Sequence, residues 1–192
     1  MINTKNRTFL ILMTAIMTAG IIAGSCTAVS CGSLKASPLA GQYIYPLLSG
    51  ITLLEIAKNT FLSVSAILGI IFCTGFFAVG QPLSVAMLIY RGFGIGFSSA
   101  LTYMAFGKSG VYISLIFIAP KILATSVIIM LAVRESLRLS NIIYGYIFRE
   151  ACQENMGKYI KLYCIKFIVL ILFVLLTALA DCGINYLFGY ML

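Results

Sequence analysis

The chain has 192 residues, of which 61% are hydrophobic and 9% are charged, with a mean hydropathy of +1.08. This composition excludes a water-soluble domain and indicates an integral membrane protein. Histidine is absent and Asp and Glu together number only 5, so the sequence lacks the side chains that most catalysis and zinc binding require. We therefore expect no enzyme, cofactor or metal site, and we interpret the formal charge of +8 as setting membrane orientation rather than nucleic-acid binding.

Five apolar stretches are long enough for transmembrane helices, which need ~20 mostly apolar residues. They cover residues 8–24, 61–79, 83–106, 111–133 and 165–187. The predicted fold is all-α: a single membrane domain over residues 1–192, with five transmembrane helices in a bundle. Turns at Gly80-Gln81-Pro82 and at residues 107–110 are short, so the second, third and fourth helices should be antiparallel neighbours.

Two connections are longer, an outer loop over residues 25–60 and a basic inner loop over residues 134–164. Each contains apolar residues at helical spacing in a segment too polar to span, which predicts interfacial amphipathic helices beside the bundle. The apolar residues are Leu47, Leu48, Ile51 and Leu54 outside, and Leu139, Ile142, Ile143, Tyr146 and Ile147 inside. Each segment is either a docking or lipid-sensing surface or a connector resting on the membrane.

Lys and Arg residues are distributed unequally between the two sides of the predicted bundle. The richer side holds Lys5, Arg7, Arg134, Arg138, Arg149, Lys158, Lys161 and Lys166, and the poorer side holds Lys35, Lys58 and Lys108. Because cytoplasmic loops carry the excess of positive charge, the N-terminus should be cytoplasmic and the C-terminus extracytoplasmic in a bacterial cell membrane. Anionic lipid headgroups are the expected partners of the basic inner loop.

Six cysteines are scattered along the chain, and only Cys26 and Cys31 fall in one predicted loop. If that loop faces an oxidising compartment, the two could form a disulfide; two free thiols are the alternative. Residues 23–26 also approach a lipobox, in which Cys26 would be lipidated, but Ala23 stands where a larger aliphatic residue is usual. We therefore expect the first span to be retained.

Small residues recur at four-residue spacing in two of the predicted spans, as Gly20 with Gly24 and as Gly92 with Gly96. Such pairs let helix backbones approach closely in lipid, where no hydrophobic force drives helices together. Gly94 lies between the second pair, so residues 91–96 could instead unwind locally, which would suit a permease. Tight helix packing is the preferred interpretation.

Three ionisable residues fall within predicted spans, where an uncompensated charge costs about 3 kcal/mol or more. Lys121 and Asp181 have similar predicted depths, so we expect an ion pair that fixes helix order, with a proton or ion relay as the alternative. Arg91 is shallower and could snorkel towards the cytoplasmic headgroups or find a partner charge. Pro120 should kink the fourth span beside Lys121.

Two stretches carry a resemblance to a known family. The first is Gly80-Gln81-Pro82-Leu83 followed by residues 88–97 (LIYRGFGIGF), and the second is residues 117–123 (FIAPKIL). A Gly-x-Pro turn, then a basic residue with glycine, a Gly-Phe, and later a proline before aliphatic residues resembles the stage II sporulation protein M family of endospore-forming bacteria. Gly20 and Gly24 also fit, while Lys121 stands where a neutral glutamine is expected.

The resemblance implies a non-catalytic membrane scaffold of the engulfment machinery, which recruits two peptidoglycan hydrolases to the septal membrane during sporulation. These partners are an amidase-endopeptidase and a lytic transglycosylase. The predicted outer loop is long enough to touch them, and the glycine-rich faces could hold the transmembrane helix of a partner or of a second copy of the chain. The alternative is a small permease or the membrane subunit of a multi-component exporter, favoured by Pro120, Lys121 and Asp181.

Overall fold

The computed structural model describes residues 4–31, 53–78, 80–114, 119–148 and 156–188. Among these residues it contains five α-helices and no strand. The helices are α1 Thr4–Cys31, α2 Leu53–Gly75, α3 Gln81–Ile113, α4 Ala119–Phe148 and α5 Met156–Phe188. The predicted all-α class is confirmed for the described part of the chain.

Four segments of these helices are long and apolar enough to cross a membrane. They are Thr8–Ser30 in α1, Ala57–Gly75 in α2, Gln81–Met104 in α3 and Met156–Ile184 in α5. The described residues therefore have the composition of a multi-pass membrane protein. The predicted span at 111–133 includes residues 115–118, which lie outside the described residues, so the fifth crossing stays a prediction.

The helix ends differ from the predicted spans, most clearly in α1. The predicted outer loop began at Ser25, but α1 continues to Cys31. Polar side chains in this last part form hydrogen bonds with backbone carbonyls of the same helix. The Thr27 hydroxyl donates to the Ala23 carbonyl at 3.1 Å, and the Ser30 hydroxyl donates to the Cys26 carbonyl at 3.0 Å. The polarity that looked like a loop is therefore compatible with helix. The predicted outer interfacial helix lies mostly outside the described residues.

The predicted basic inner loop is also largely helical in the structure. α4 extends to Phe148 and α5 begins at Met156, and residues 149–155 of that loop lie outside the described residues. Residues 121–144 contain neither Gly nor Pro, so nothing in this stretch interrupts backbone hydrogen bonding once the helix has started. The segment predicted as an inner interfacial helix is thus a continuation of α4.

The described residues form two compact units. The first comprises residues 1–52 and 88–123, hence α1 with most of α3. Met13 and Met17 of α1 and Ile95 of α3 are buried there, and Ala28 packs against Leu101. The second comprises residues 53–87 and 124–192, hence α2, the start of α3, most of α4, and α5. Its core is formed by apolar side chains from three of these helices: Val64, Leu68, Ile71, Ile129, Val133 and Val174.

A tight turn joins α2 to α3. The Phe77 carbonyl accepts a hydrogen bond from the Gly80 amide at 3.0 Å, and a Cβ on Gly80 would collide with the Thr74 carbonyl, so only glycine fits there. Pro82 is the second residue of α3, in the first turn, where a missing amide hydrogen costs nothing. Near its other end, α3 is interrupted at Gly107, with φ 57° and ψ −132°, where the sequence predicts a turn.

Candidate functional site

Close backbone contact joins α1 to α3 in the first unit. A Cβ added to Gly20 would lie 2.7 Å from the Ile89 carbonyl oxygen, and one added to Gly92 would lie 3.4 Å from the Gly20 Cα. Further along, a Cβ on Gly24 would collide with the Phe93 carbonyl, and one on Gly96 with the Ile21 carbonyl. We call Gly20, Gly24, Gly92 and Gly96 the glycine contact. The structure thus brings both predicted glycine pairs into one helix crossing.

Three residues lie beside the glycine contact on α1 and α3: Ser25, Gly94 and Arg91. The Ser25 hydroxyl lies 3.3 Å from the Gly96 carbonyl oxygen and adds a polar link between α1 and α3. Gly94 is buried but lies about 200° around α3 from Gly92, so it does not share the face that meets α1. Arg91 is only 5% exposed, so protein encloses its side chain, whereas snorkelling would bring it to the headgroups.

Three hydroxyls from three helices meet in the second unit. Thr74 Oγ1 of α2 lies 2.7 Å from Ser84 Oγ of α3 and 3.2 Å from Ser136 Oγ of α4, and the two serine oxygens lie 3.0 Å apart. All three side chains are buried. Because an unsatisfied polar group in hydrocarbon costs several kcal/mol, each hydroxyl needs its partners to remain there. We call Thr74, Ser84 and Ser136 the hydroxyl cluster.

Tyr163 connects α5 to the same region. Its hydroxyl donates to the Phe72 carbonyl at 3.0 Å, and its ring stacks on the Phe72 ring with centroids 5.3 Å apart. Gly75 makes this approach possible, since a Cβ there would collide with the Tyr163 hydroxyl and lie 3.3 Å from Ser136 Oγ. The last turn of α2 is therefore held by polar groups from α3, α4 and α5.

Asp181 is buried on α5, 4% exposed, and accepts a hydrogen bond from Thr60 Oγ1 of α2 at 2.8 Å. Thr60 precedes Thr74 by fourteen residues on α2, so this contact lies about 21 Å along the helix from the hydroxyl cluster. Lys121, the predicted partner, is half-buried and belongs to the first unit, whereas Asp181 belongs to the second. The pairing stays a prediction.

Pro120 is exposed and is the second residue of α4 as the structure describes it. In the first turn of a helix a backbone N–H has no partner within the helix, so the N–H that proline lacks is not missed there. The predicted kink concerns the preceding residues 115–118, which lie outside the described ones.

Cys26 is a free thiol on the exposed surface of α1. Cys31 follows five residues later on the same helix, which separates their Cα atoms by about 7.5 Å along the axis. A disulfide needs Cα atoms closer than about 7 Å, so a bridge would require α1 to unwind.

An ion pair joins α4 to α5 at the end of the bundle near the hydroxyl cluster. Lys166 Nζ lies 2.6 Å from Glu135 Oε2, and both side chains are partly exposed. The sequence reasoning used Lys166 only for orientation and missed this pair, the hydroxyl cluster and the role of Tyr163. Serines and threonines inside apolar helical stretches were the available signal, because in lipid such residues hydrogen-bond across helices.

Comparison with models of known families, with curated proteins and with solved structures finds no match to the chain. The resemblance therefore depends on the motif residues alone. The structure places residues 80–97 in the α2–α3 turn and the N-terminal half of α3, and residues 119–123 at the start of α4, while residues 117 and 118 lie outside the described residues.

Proposed function

We propose that the chain is a membrane scaffold, which crosses the bilayer five times and holds partner proteins in place without catalysing a reaction. The observation that carries this proposal is the hydroxyl cluster. Its three buried side chains bond to one another across α2, α3 and α4, and Tyr163 adds α5. Polar groups used in this way stabilise one arrangement of helices, which is what a docking platform requires.

The depth of Ser136 supports the fifth crossing. Ser136 contacts Ser84, in the first turn of α3 beside the α2–α3 turn. From Ser84, α3 continues with spanning composition to Met104, about 30 Å away, which matches the hydrocarbon thickness. Five crossings then require a return through the same thickness between Met104 and Ser136. The predicted span at 111–133 falls within that interval.

The partners in this proposal come from the resemblance to the stage II sporulation protein M family. Its motif residues at positions 80–97 and 117–123 support a role in sporulation, in which the chain recruits an amidase-endopeptidase and a lytic transglycosylase for peptidoglycan remodelling during engulfment. These enzymes act outside the cytoplasmic membrane, so their contacts should lie on the extracytoplasmic side, where the predicted outer loop lies.

The test is localisation and capture of the intact protein in a sporulating cell. A fluorescently tagged copy should collect at the division septum early in sporulation, and affinity purification in mild detergent should retain both hydrolases. Gly24→Ile should displace α1 from α3 and reduce capture. The matched control is Gly69→Ile, which should not reduce it, because Gly69 has open space around it. Uniform distribution in the membrane with neither enzyme retained would reject the proposal.

A small permease, or the membrane subunit of an exporter, is the second candidate because Asp181 is buried on a helix of spanning composition. Carboxylates inside membrane bundles often mark ion or proton pathways. Purified protein in liposomes tests this function directly with a pH-sensitive dye enclosed in the vesicles. Proton movement that Asp181→Asn abolishes would favour the permease, and tight vesicles would favour the scaffold.

A further inference from the structure

The short turn between α2 and α3 has an apolar outer surface. Phe77 is 65% exposed and Phe76 is 39% exposed, and both lie between the two helices. Ile70 near the end of α2 and Leu83 in the first turn of α3 are exposed as well. Lipid tails are as apolar as these side chains, so a membrane helix exposes such residues to them. The turn therefore has the same kind of surface as the helices that it joins.

The turn carries no charged side chain. No Asp, Glu, Lys or Arg lies between Lys58 and Arg91, a stretch that contains most of α2, the turn and the first part of α3. Gln81, which begins α3, is polar, but its side-chain amide donates to Asn141 Oδ1 at 2.9 Å. Loops that reach water are usually rich in polar residues. The α2–α3 turn lacks the side chains that would hold it in water.

Hydrogen bonds within the protein occupy the backbone of the turn. The Phe77 amide donates to the Thr74 carbonyl at 3.2 Å, and the Phe77 carbonyl accepts from the Gly80 amide at 3.0 Å. The Ser140 hydroxyl of α4 donates to the Phe77 carbonyl at 2.8 Å and lies 3.3 Å from the Ala78 carbonyl oxygen. A backbone group without a partner is costly in lipid, whereas in water the solvent supplies the partner. These bonds allow the turn to do without water.

The turn lies at the end of two segments of spanning composition. Residues 76–80 alone separate Ala57–Gly75 from Gln81–Met104. The hydroxyl oxygens of Thr74 and Ser84 lie 2.7 Å apart and close the hairpin just inside the turn. Because the turn is short and its base is closed, its side chains stay at the membrane face where the two segments end.

We propose that the α2–α3 turn is inserted into the membrane, where Phe77 and the exposed edge of Phe76 contact the acyl chains of one leaflet. The partner is lipid hydrocarbon and not a headgroup, so the contact does not depend on lipid charge. The inference rests on the proposed membrane crossing, but not on the scaffold role. Partner capture can therefore fail without affecting it, and a turn that lies in water would leave the scaffold role intact.

Tryptophan fluorescence tests the insertion, because the chain contains no tryptophan and a substitution supplies the only one. Phe77→Trp suits this purpose, since Phe77 is exposed and the larger ring needs no buried space. The purified full chain is reconstituted in phosphatidylcholine vesicles, with or without bromine on the acyl chains, and iodide is added on both sides of the membrane. We expect bromine to reduce the emission of Phe77→Trp strongly and iodide to leave it nearly unchanged.

Phe173→Trp is the matched control, because Phe173 is also exposed and lies within the spanning segment Met156–Ile184 of α5. Bromine should reduce its emission too, and no reduction would reject the membrane crossing and the proposal with it. Once that control is met, quenching of Phe77→Trp by iodide would place the turn in water, and resistance to both quenchers would mean contact with protein. Either result would overturn the proposal. If Phe77→Trp does not insert, Phe76→Trp decides by the same criteria.

Discussion

Ser136 is the only contribution of α4 to the hydroxyl cluster, so its substitution tests whether that cluster stabilises the protein. Ser136→Ala leaves Thr74 and Ser84 bonded to each other at 2.7 Å and removes the two contacts to α4. Hydrogen bonds between membrane helices contribute about 0.6 kcal/mol on average. We therefore expect the midpoint of thermal unfolding in detergent to fall by about 2 °C or more, since two bonds are lost.

Ser30→Ala is the control for this measurement. The Ser30 hydroxyl is exposed and, within the part of the chain that the structure describes, bonds to the Cys26 carbonyl of its own helix, so its removal should leave the unfolding midpoint nearly unchanged. Equal midpoints for Ser136→Ala, Ser30→Ala and the unmodified chain would mean that the cluster contributes no stability.

Asp181 gives the second prediction at this scale, because the Thr60 hydroxyl alone does not balance a buried carboxylate charge. If Lys121 supplies the balancing charge, Lys121→Leu should strand a carboxylate at a cost of about 3 kcal/mol and reduce the amount of protein inserted in the membrane. The double change to Leu at both positions should largely restore that amount, measured by quantitative blotting of membrane fractions.

Asp181→Asn separates charge from hydrogen bonding in the same assay. The amide oxygen still accepts from Thr60, so any loss of inserted protein in this variant reflects Lys121 left without its counter-charge. Failure of the double variant to recover would remove the pairing.

What the sequence could predict about single residues follows from how strongly each one is constrained. A charge within an apolar stretch has few tolerable environments, so the position of Asp181 in the sequence was enough to expect a partner for it. The sequence names Lys121, a pairing that stays a prediction, and gives no sign of the contact with Thr60. Thr74 and Ser136 carry no such constraint, because a lone hydroxyl can always bond to its own helix. Their meeting depends on how three helices pack, which no local pattern specifies.

At the scale of helices, the glycine contact predicts a strong dependence on side-chain size. Gly24→Ile would place a branched side chain against the Phe93 carbonyl and force α1 away from α3. Overpacking of this kind costs about 1–3 kcal/mol, so the unfolding midpoint should fall by several degrees. Gly69→Ile, at an exposed position of α2 with nothing within 4 Å of the added Cβ, should not lower it. Equal losses in the two variants would indicate that α1 does not depend on close approach.

Helix type was predictable from the sequence, but helix ends were less so. Hydropathy indicates where a chain fits hydrocarbon, and a helix continues beyond that region whenever its backbone bonds remain satisfied. This is why α1 passes Gly24 and α4 passes Val133, the predicted ends of their spans. The α2–α3 turn was located within a few residues because Gly80 and Pro82 each impose a specific backbone geometry.

For the whole molecule, the number of crossings decides whether the two termini lie on the same side of the membrane. With the N-terminus in the cytoplasm, four crossings would return residue 192 to the cytoplasm, whereas five would leave it outside. Ser136 contacts Ser84 close to the α2–α3 turn, whereas residue 108 lies near the opposite end of α3. The stretch from 108 to 136 therefore determines the outcome.

Reporter fusions at residues 79, 108, 150 and 192 test this arrangement, with alkaline phosphatase active only outside and green fluorescent protein fluorescent only inside. We expect fluorescence at 79 and 150 and phosphatase activity at 108 and 192, because the basic ends of α4 and α5 should remain in the cytoplasm. Matching signals at 108 and 150 would mean that the chain between them does not cross. That result would contradict five crossings. It would also contradict the contact between Ser84 and Ser136, because a chain that crosses the bilayer in α3 has to cross again before Ser136 can lie beside Ser84.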